Sequence, residues 1–177
     1  MDYTAALAQL LTNPELRAAH HADPQSVCRD LALDADDAQT IVGLDPGDVE
    51  RQARLLIHKR FFEIQSFLPR TLSELDSARG HFERFAATYW PTSHRRHLLD
   101  AAAFAQYLID RRQPVVRSEV NWVQFRAGGR RIALRFAPDV ETGDGLSAGV
   151  QLFWRRGGAE QFWELYWNPR RATRKST

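Results

Sequence analysis

Histidines are the side chains of this sequence that come nearest to a metal or acid–base site. The six are His20, His21, His58, His81, His94 and His97. Only His94 and His97 have a spacing that places two imidazoles on one face of a helix, and no carboxylate or third ligand completes a metal motif around them. Structural or surface histidines are therefore favoured over a metal site.

Two other groups of side chains invite a chemical interpretation. Asp34, Asp36 and Asp37 resemble part of a calcium loop, but the turn glycine and the closing glutamate of that motif are absent. Helix capping is the better interpretation of these aspartates. The single cysteine, Cys28, has no partner nearby in a predicted helix, which favours a small buried apolar residue over a nucleophile. No phosphate loop, dinucleotide fingerprint or nucleophile elbow occurs either, so the sequence predicts a binding subunit and not an enzyme.

Tryptophan and arginine are concentrated in the last third of the chain. Four of the five tryptophans lie there, in strand-like runs that end at two Gly-Gly turns and alternate with arginine: Trp122, Trp154, Trp163 and Trp167. Alternating strands place aromatic side chains on one face, and an edge strand leaves backbone groups open to a partner. This pattern predicts a binding surface in the last third.

The composition is that of a globular chain. It has 177 residues, of which 44% are hydrophobic and 26% charged, enough to bury a core without two large independent domains. A lone cysteine cannot form an internal disulfide, and the first residues, MDYTAALAQLL, lack the pattern of a secretory signal. A cytoplasmic location is expected. No apolar stretch has the length to cross a bilayer, so a membrane is not an expected partner.

Charge is unevenly distributed behind the net value of +2. Residues 1–50 hold ten acidic and two basic side chains, a net charge of −8, which leaves +10 for residues 51–177. A basic rear part steers anionic partners by long-range attraction. An unevenly charged solubilising surface explains the same numbers equally well.

Helices are predicted over the first two thirds. Asn13-Pro14, Asp23-Pro24 and Asp45-Pro46 each place a capping side chain before a proline suited to a first helical turn. With the apolar spacing of later segments, the predicted helices are Tyr3–Leu11, Pro14–Ala22, Pro24–Leu31, Ala35–Leu44, Pro46–Phe67, a short helix in PRTLSEL, His81–Tyr89 and Arg95–Asp110.

The periodicity changes from helical to alternating after Pro114. Two hairpins are predicted, each with a Gly-Gly turn, from the strands Val120–Arg126, Arg131–Ala137, Ala148–Arg155 and Gln161–Trp167. Residues 138–147 are expected to form the loop between the hairpins. A four-stranded meander then has two open edges, Val120–Arg126 and Gln161–Trp167, and either could accept another strand.

The predicted fold class is therefore α+β, with an N-terminal helical bundle followed by a small four-stranded antiparallel β-meander. The expected domains are a helical domain over residues 1–112 and an antiparallel sheet over residues 115–168. Residues 169–177 carry four positive charges and almost nothing apolar, which is typical of a basic flexible tail.

The middle of the chain resembles a known family. HKRFFEIQSFLPRTLSEL, then FERFAATYWP and RRHLLDAAAFAQYLI are similar to the helical region of partner proteins of multinuclear non-haem iron-dependent oxidative enzymes. Those enzymes modify cysteines of ribosomally made peptides, and the arrangement is most like that of the partner subunit of the thiaglutamate pathway. The resemblance covers roughly Ala53 to Ile109 and extends more weakly toward the N-terminus.

The resemblance implies a division of labour. A separate enzyme of barrel fold holds the iron and performs the oxidation, while the partner holds the ribosomal precursor peptide and presents its cysteine. On this view the present chain has no cofactor of its own, residues 1–112 dock on the enzyme and residues 115–168 bind an acidic precursor peptide.

The predicted sheet is suited to binding a peptide. A peptide added as a strand satisfies open backbone groups, while aromatic and arginine side chains select its residues. The candidate peptide-binding residues are Trp122, Phe125, Arg126, Arg135, Trp154, Trp163, Tyr166 and Trp167. About half of these aromatics must instead cover the sheet where it packs on the helices, and the sequence alone does not assign the faces.

Single-stranded nucleic acid is the alternative ligand. An aromatic, arginine-rich sheet with a basic tail is suited to stacking and phosphate contacts, and the sequence pI of about 9.0 permits it. The strands lack an RNP-like aromatic signature and the acidic front repels a polyanion, so nucleic acid is the less favoured partner.

Overall fold

The computed structural model describes residues 1–91, 95–142, 145–156 and 159–167, with Glu141, Thr142 and Trp167 described by their backbone alone. Along these residues nine helices precede three strands. The helices are α1 (Tyr3–Thr12), α2 (Pro14–Ala22), α3 (Pro24–Asp30), α4 (Ala35–Val42), α5 (Pro46–Ile64), α6 (Pro69–Ser73), α7 (Ala78–Ala86), α8 (Arg96–Asp110) and α9 (Arg117–Ala127). The strands are β1 (Ile132–Thr142), β2 (Gly145–Arg156) and β3 (Ala159–Trp167). The α+β class is confirmed, with three strands instead of the four predicted.

The predicted caps of the N-terminal helices are confirmed. Asn13 accepts from the backbone N–H groups of Glu15 and Leu16, at 2.9 and 3.2 Å, at the start of α2. Asp23 and Asp34 cap α3 and α4 in the same way. Each cap satisfies an N–H group that has no partner within its own helix, which is why these short helices begin where they do.

The described chain divides into two compact units, the first made of residues 1–62 and 79–90. Its core includes a cluster of buried residues from α1, α3, α4 and α5: Ala6, Leu10, Val27, Cys28, Ile41 and Val49. His20 is buried in this unit, with its Nε2 3.0 Å from the carbonyl oxygen of Ile41. No helix among the described residues combines the length and apolar character needed to span a lipid bilayer.

A second core of the first unit is aromatic. Phe82 of α7 lies between Phe61 and Phe85, with ring centroids 5.6 Å away in both cases. The buried Arg60 lies over the Trp90 ring at 4.5 Å and donates to the carbonyl oxygen of Tyr89 at 2.9 Å. Its charge is therefore held by an aromatic face and a carbonyl dipole.

The second unit comprises residues 63–78 and the chain from 91 onward, and in it the prediction of a strand at Val120–Arg126 is wrong. These residues belong to helix α9, which packs on α8 and on the sheet. The β-branched and aromatic residues suggested a strand, but Val116, Val120 and Val123 follow a helical spacing and are buried. The Gly128-Gly129 pair, taken for a hairpin turn, follows the helix C-terminus, where glycine is common.

The sheet has the order β1-β2-β3 with both pairs antiparallel. The prediction of a loop over residues 138–147 is wrong, because β1 continues to Thr142 and β2 begins at Gly145. A register shift between Ala137 and Val140 marks a bulge in β1, at Pro138 and Asp139. The second predicted Gly-Gly turn, at residues 157 and 158, lies outside the described residues, as does the tail from 169 to 177.

The sheet supplies hydrogen bonds to both ends of α9. At the N-terminus, the carboxylate of Asp139 accepts from the backbone N–H groups of Arg117 and Ser118, the second at 2.9 Å. At the C-terminus, the guanidinium of Arg155 donates at 2.8 Å to the carbonyl oxygens of Phe125, Arg126 and Gly128. An anion at the N-terminus and a cation at the C-terminus both complement the helix dipole.

Replacing the N-terminal cap tests this arrangement. Asp139→Ala removes the acceptor of two backbone N–H groups, so we expect the free energy of unfolding to fall by about 1–2 kcal/mol. Urea denaturation followed by far-ultraviolet circular dichroism measures it. The matched control is Asp76→Ala, an exposed position in the same unit, where a change within about 0.5 kcal/mol is expected. Equal losses in the two variants would contradict the capping role.

Candidate binding surface

The face of the sheet that packs on α9, here called the inner face, combines small residues, polar residues and aromatic rings. Ala133 and Ala137 of β1 are buried there, and Gly149 of β2 lies between Ala137 and Tyr166 of β3. A Cβ on Gly149 would lie 2.9 Å from the carbonyl oxygen of Leu165 and 3.1 Å from a methyl group of Val140. Small side chains on this face therefore allow the close approach of neighbouring groups.

Polar side chains join α9 to the centre of the inner face. The amide of Asn121 donates to the carbonyl oxygen of Phe136 and to the side-chain oxygen of Gln151, both at 3.0 Å. Gln151 in turn donates to Glu164 Oε1 at 2.7 Å. Asn121 and Gln151 are buried, and these bonds satisfy polar groups whose burial would otherwise be costly.

An aromatic cluster fills the rest of the space between α9 and the sheet. Trp122 lies 5.6 Å from Phe153 and 5.0 Å from Phe162, measured between ring centroids. Phe125 lies 5.2 Å from Phe153, which is completely buried. Trp122 and Phe125 were predicted to contact a peptide, and the structure places both in this packing.

Arg126, another predicted peptide contact, is engaged in an ion pair. Its Nε lies 2.6 Å from Glu160 Oε2, and Arg155 lies 3.3 Å from Glu160 Oε1. The guanidinium of Arg126 also lies over the Trp122 ring at 5.6 Å. One carboxylate thus holds two arginines beside the C-terminus of α9, and both cations serve the packing of helix and sheet.

The remaining predicted contacts lie on the strands. Arg135 is exposed at the margin of the inner face and donates to the carbonyl oxygen of Leu134 at 3.3 Å. Tyr166 is exposed on the same face of β3. Trp154 and Trp163 lie on the opposite face in an edge-to-face pair, with centroids 5.2 Å apart. The backbone of Trp167 pairs with Ala148, and its side chain lies outside the described residues.

The face that points away from α9, here called the outer face, carries three rows of side chains that cross all three strands. The register aligns Ile132 with Trp154 and Gln161, Leu134 with Leu152 and Trp163, and Phe136 with Val150 and Leu165. Eight of these nine side chains are apolar and Gln161 is uncharged. The exposed fractions are 62% for Leu134, 57% for Phe136, 65% for Trp163 and 72% for Leu165.

In β1 this exposure reverses the usual arrangement of a two-layer fold, because alanines face the helix while Ile132, Leu134 and Phe136 face away from it. Contiguous apolar patches beyond a few hundred Å² are uncommon on monomers and mark interaction sites. Sequence reasoning found Trp154 and Trp163 but missed Ile132, Leu134 and Leu165. The signal was present in β1, where these larger residues alternate with alanine and arginine, but it does not say which set a helix covers.

The two edges of the sheet differ in how they are protected. At β1 the bulge, Pro138, the exposed Arg135 and the exposed Arg131 just before the strand interrupt or charge the edge, and these features discourage pairing with another chain. In β3 the register with β2 is unbroken from Ala159 to Trp167, the strand contains no proline or lysine, and its two charged residues, Glu160 and Glu164, both lie on the inner face. Of the two predicted open edges, Val120–Arg126 is a helix and Gln161–Trp167 belongs to an edge strand.

The side chains considered for catalysis do not assemble into a metal site within the described part of the chain. Among those residues, no group of three or more His, Cys, Asp or Glu is placed to hold an ion. The imidazole of His97 pairs with the carboxylate of Glu63, and His94 lies outside the described residues. Burial raises the pKa of the Cys28 thiol, with a smaller opposing effect of Arg29, so the thiolate is disfavoured.

Comparison with models of protein families gives no match, and comparisons with curated proteins and with solved structures give none either. The resemblance to partner subunits of iron-dependent oxidative enzymes remains a prediction.

The different roles of the two faces can be tested with one substitution made twice. Phe153→Ala removes a fully buried ring of the inner face, and we expect a loss of about 3–5 kcal/mol in the free energy of unfolding. Phe136→Ala removes a ring that is more than half exposed on the outer face, where a loss below about 1 kcal/mol is expected. Thermal and urea unfolding measure both. If Phe136→Ala were the more damaging variant, the assignment of the faces would be wrong.

Proposed function

We propose that this chain is a non-catalytic subunit that binds an extended peptide as an additional strand on β3. The observation that carries the proposal is the combination of an uninterrupted β3 edge strand with exposed apolar rows that end at that edge. Pro138, Arg131, Arg135 and the bulge keep β1 from serving in the same way.

Strand addition would use both the edge of β3 and the exposed apolar rows. The outward N–H and C=O groups of an edge strand form main-chain hydrogen bonds with a peptide of any sequence, and the side chains on alternate positions supply selectivity. A peptide beside β3 would lengthen the rows that end at Trp163 and Leu165, so that apolar surface on both partners leaves water.

The identity of the peptide and of the enzyme is proposed from the resemblance. In this proposal a ribosomal precursor peptide lies on β3, its cysteine is presented to a separate iron-dependent oxidative enzyme of barrel fold, and the N-terminal helices dock on that enzyme. Support comes from the similarity over Ala53 to Ile109 and from a surface suited to holding a peptide.

Single-stranded nucleic acid fits the surface less well. The three outer rows hold no cation to meet a phosphate. Arg126 and Arg155 are already paired with Glu160. Stacking on Trp163 alone lacks the charge that gives such binding its strength. A gel-shift assay with random single strands at two salt concentrations tests this alternative, because phosphate-driven binding weakens steeply with salt.

The peptide edge is tested with two matched variants. Leu165→Lys and Leu134→Lys place the same charge on the same face, at β3 and β1 respectively, and both leucines are well exposed. A random dodecamer library displayed on phage is selected on the wild-type protein, and the affinities of selected peptides are measured by fluorescence anisotropy. We expect Leu165→Lys to weaken binding by at least about tenfold, since a lysine at an edge opposes strand pairing. Leu134→Lys is expected to change affinity less than about twofold.

Two results would count against the peptide edge. Equal weakening by the two lysines would place the peptide across the whole outer face and not at β3. If phage selection on the wild-type protein returned no binding peptide, the proposed function itself would be contradicted. Circular dichroism spectra matching that of the wild type ensure that each variant is folded.

The role as a partner subunit is tested by co-expression. We expect the tagged chain to co-purify, in a fixed ratio, with an iron-containing polypeptide encoded beside it. A short peptide encoded there should be modified at its cysteine only when both proteins are present, as mass spectrometry measures. Modification by the iron polypeptide alone at an undiminished rate would contradict this role.

A further inference from the structure

We infer that the β3 edge selects a peptide segment with the pattern apolar–basic–apolar, the basic residue facing Glu164 and the apolar residues facing Trp163 and Leu165. This inference rests on the proposed strand addition and specifies the class of peptide. It assigns the charge selection to a carboxylate, whereas the sequence had suggested arginines and an acidic precursor.

The side chains of β3 alternate between the two faces of the sheet. Successive residues of a strand point to opposite faces, and residues directly opposite each other on neighbouring strands share a face. The register puts Trp163 and Leu165 on the outer face and Glu164 between them on the inner face. Three consecutive residues of an added strand therefore meet these three side chains in turn.

The outer-face positions require apolar partners. Trp163 lies beside Leu152, and Leu165 lies beside Val150, at the ends of two apolar rows. Both end residues are mostly exposed. A charged or amide side chain opposite them would lose hydration without a hydrogen-bonding partner in either row, which disfavours it.

The inner-face position is dominated by one carboxylate. Glu164 is half-buried, and its Oε1 is fixed by the hydrogen bond from the buried Gln151. Among the described residues no Lys, Arg or His forms an ion pair with Glu164, whereas Glu160, two rows away, is held by two arginines. Arg135 shares the row and the face of Glu164 but lies two strands away, beyond Gln151, so within the described part of the chain Glu164 has no ion-pair partner at the margin where a ligand strand would lie.

Two aromatic rings flank that carboxylate. Phe162 and Tyr166 precede and follow Glu164 on the same face of β3, and both are about half exposed. Aromatic faces attract cations and cover the methylene stems of Lys and Arg. A cationic side chain opposite Glu164 would therefore gain an opposite charge and aromatic neighbours together, while an acidic side chain would be repelled.

The test uses three synthetic nonapeptides that differ only in the central residue of an apolar–X–apolar triplet, with X as Lys, Gln or Glu. Fluorescence anisotropy with the full chain is expected to rank the affinities Lys above Gln above Glu. The Lys peptide should bind about tenfold more tightly than the Glu peptide, since attraction replaces repulsion. Raising the ionic strength should shrink this ratio.

Glu164→Gln is the decisive variant, because it removes the charge and keeps a side-chain oxygen for Gln151. We expect the Lys-to-Glu ratio to fall to within about twofold of unity while the Gln peptide binds within about twofold of its wild-type affinity. Glu74→Gln, an exposed position in the same unit, is the matched control and should retain the wild-type ratio.

The possible failures are distinguishable. If the peptides bind but the wild-type ratio stays within twofold, or if the ratio survives in Glu164→Gln, the charge selection is overturned and strand addition stands. If none of the three binds and phage selection also returns no peptide, the proposed function falls with it. A dimer of the chain that Leu165→Lys dissociates, and that saturating peptide does not, would assign the β3 edge to a second copy and overturn the inference.

Discussion

The placement of α9 on the sheet is the constraint on which the rest of the second unit depends. Asp139 holds one end of the helix, Arg155 holds the other, and Asn121 and Gln151 hold its middle. Small inner-face residues such as Ala133 suit close packing under such a helix. Once the alanines of β1 face inward, strand alternation sends its larger apolar residues outward. The exposed apolar outer face therefore follows from which face of the sheet the helix covers.

Local signals made the helices predictable. Asn13, Asp23 and Asp34 are hydrogen-bond acceptors placed one residue before a helix. The residues that determine where each helix begins therefore lie within its first turn or just before it. The alternation of β2 and β3 was equally local, because period two is visible within a single strand. Those parts of the fold need no knowledge of distant contacts.

The parts that were predicted wrongly depend on contacts far apart in sequence. In α9, the strand-like composition of Val120 and Trp122 was overruled because Asp139 and Arg155, which follow it in sequence, supply its end contacts. The candidate binding surface could not be predicted correctly for the same reason, because it too depends on contacts between residues far apart in sequence. The sequence around Arg126 suggests a free surface cation, but in the structure Arg126 forms an ion pair with Glu160. The exposure of Leu165 depends on which face of the sheet α9 covers.

The bulge at Pro138 has a consequence for how far the sheet can grow. Sheets of successive protomers can join into an open-ended array only if the two edges of each sheet can pair with each other. Here the bulge leaves β1 poorly suited to pairing, so β3 is the one of the two edges with an uninterrupted ladder. A sheet with one such edge does not provide the two complementary edges that fibre propagation through its strands requires.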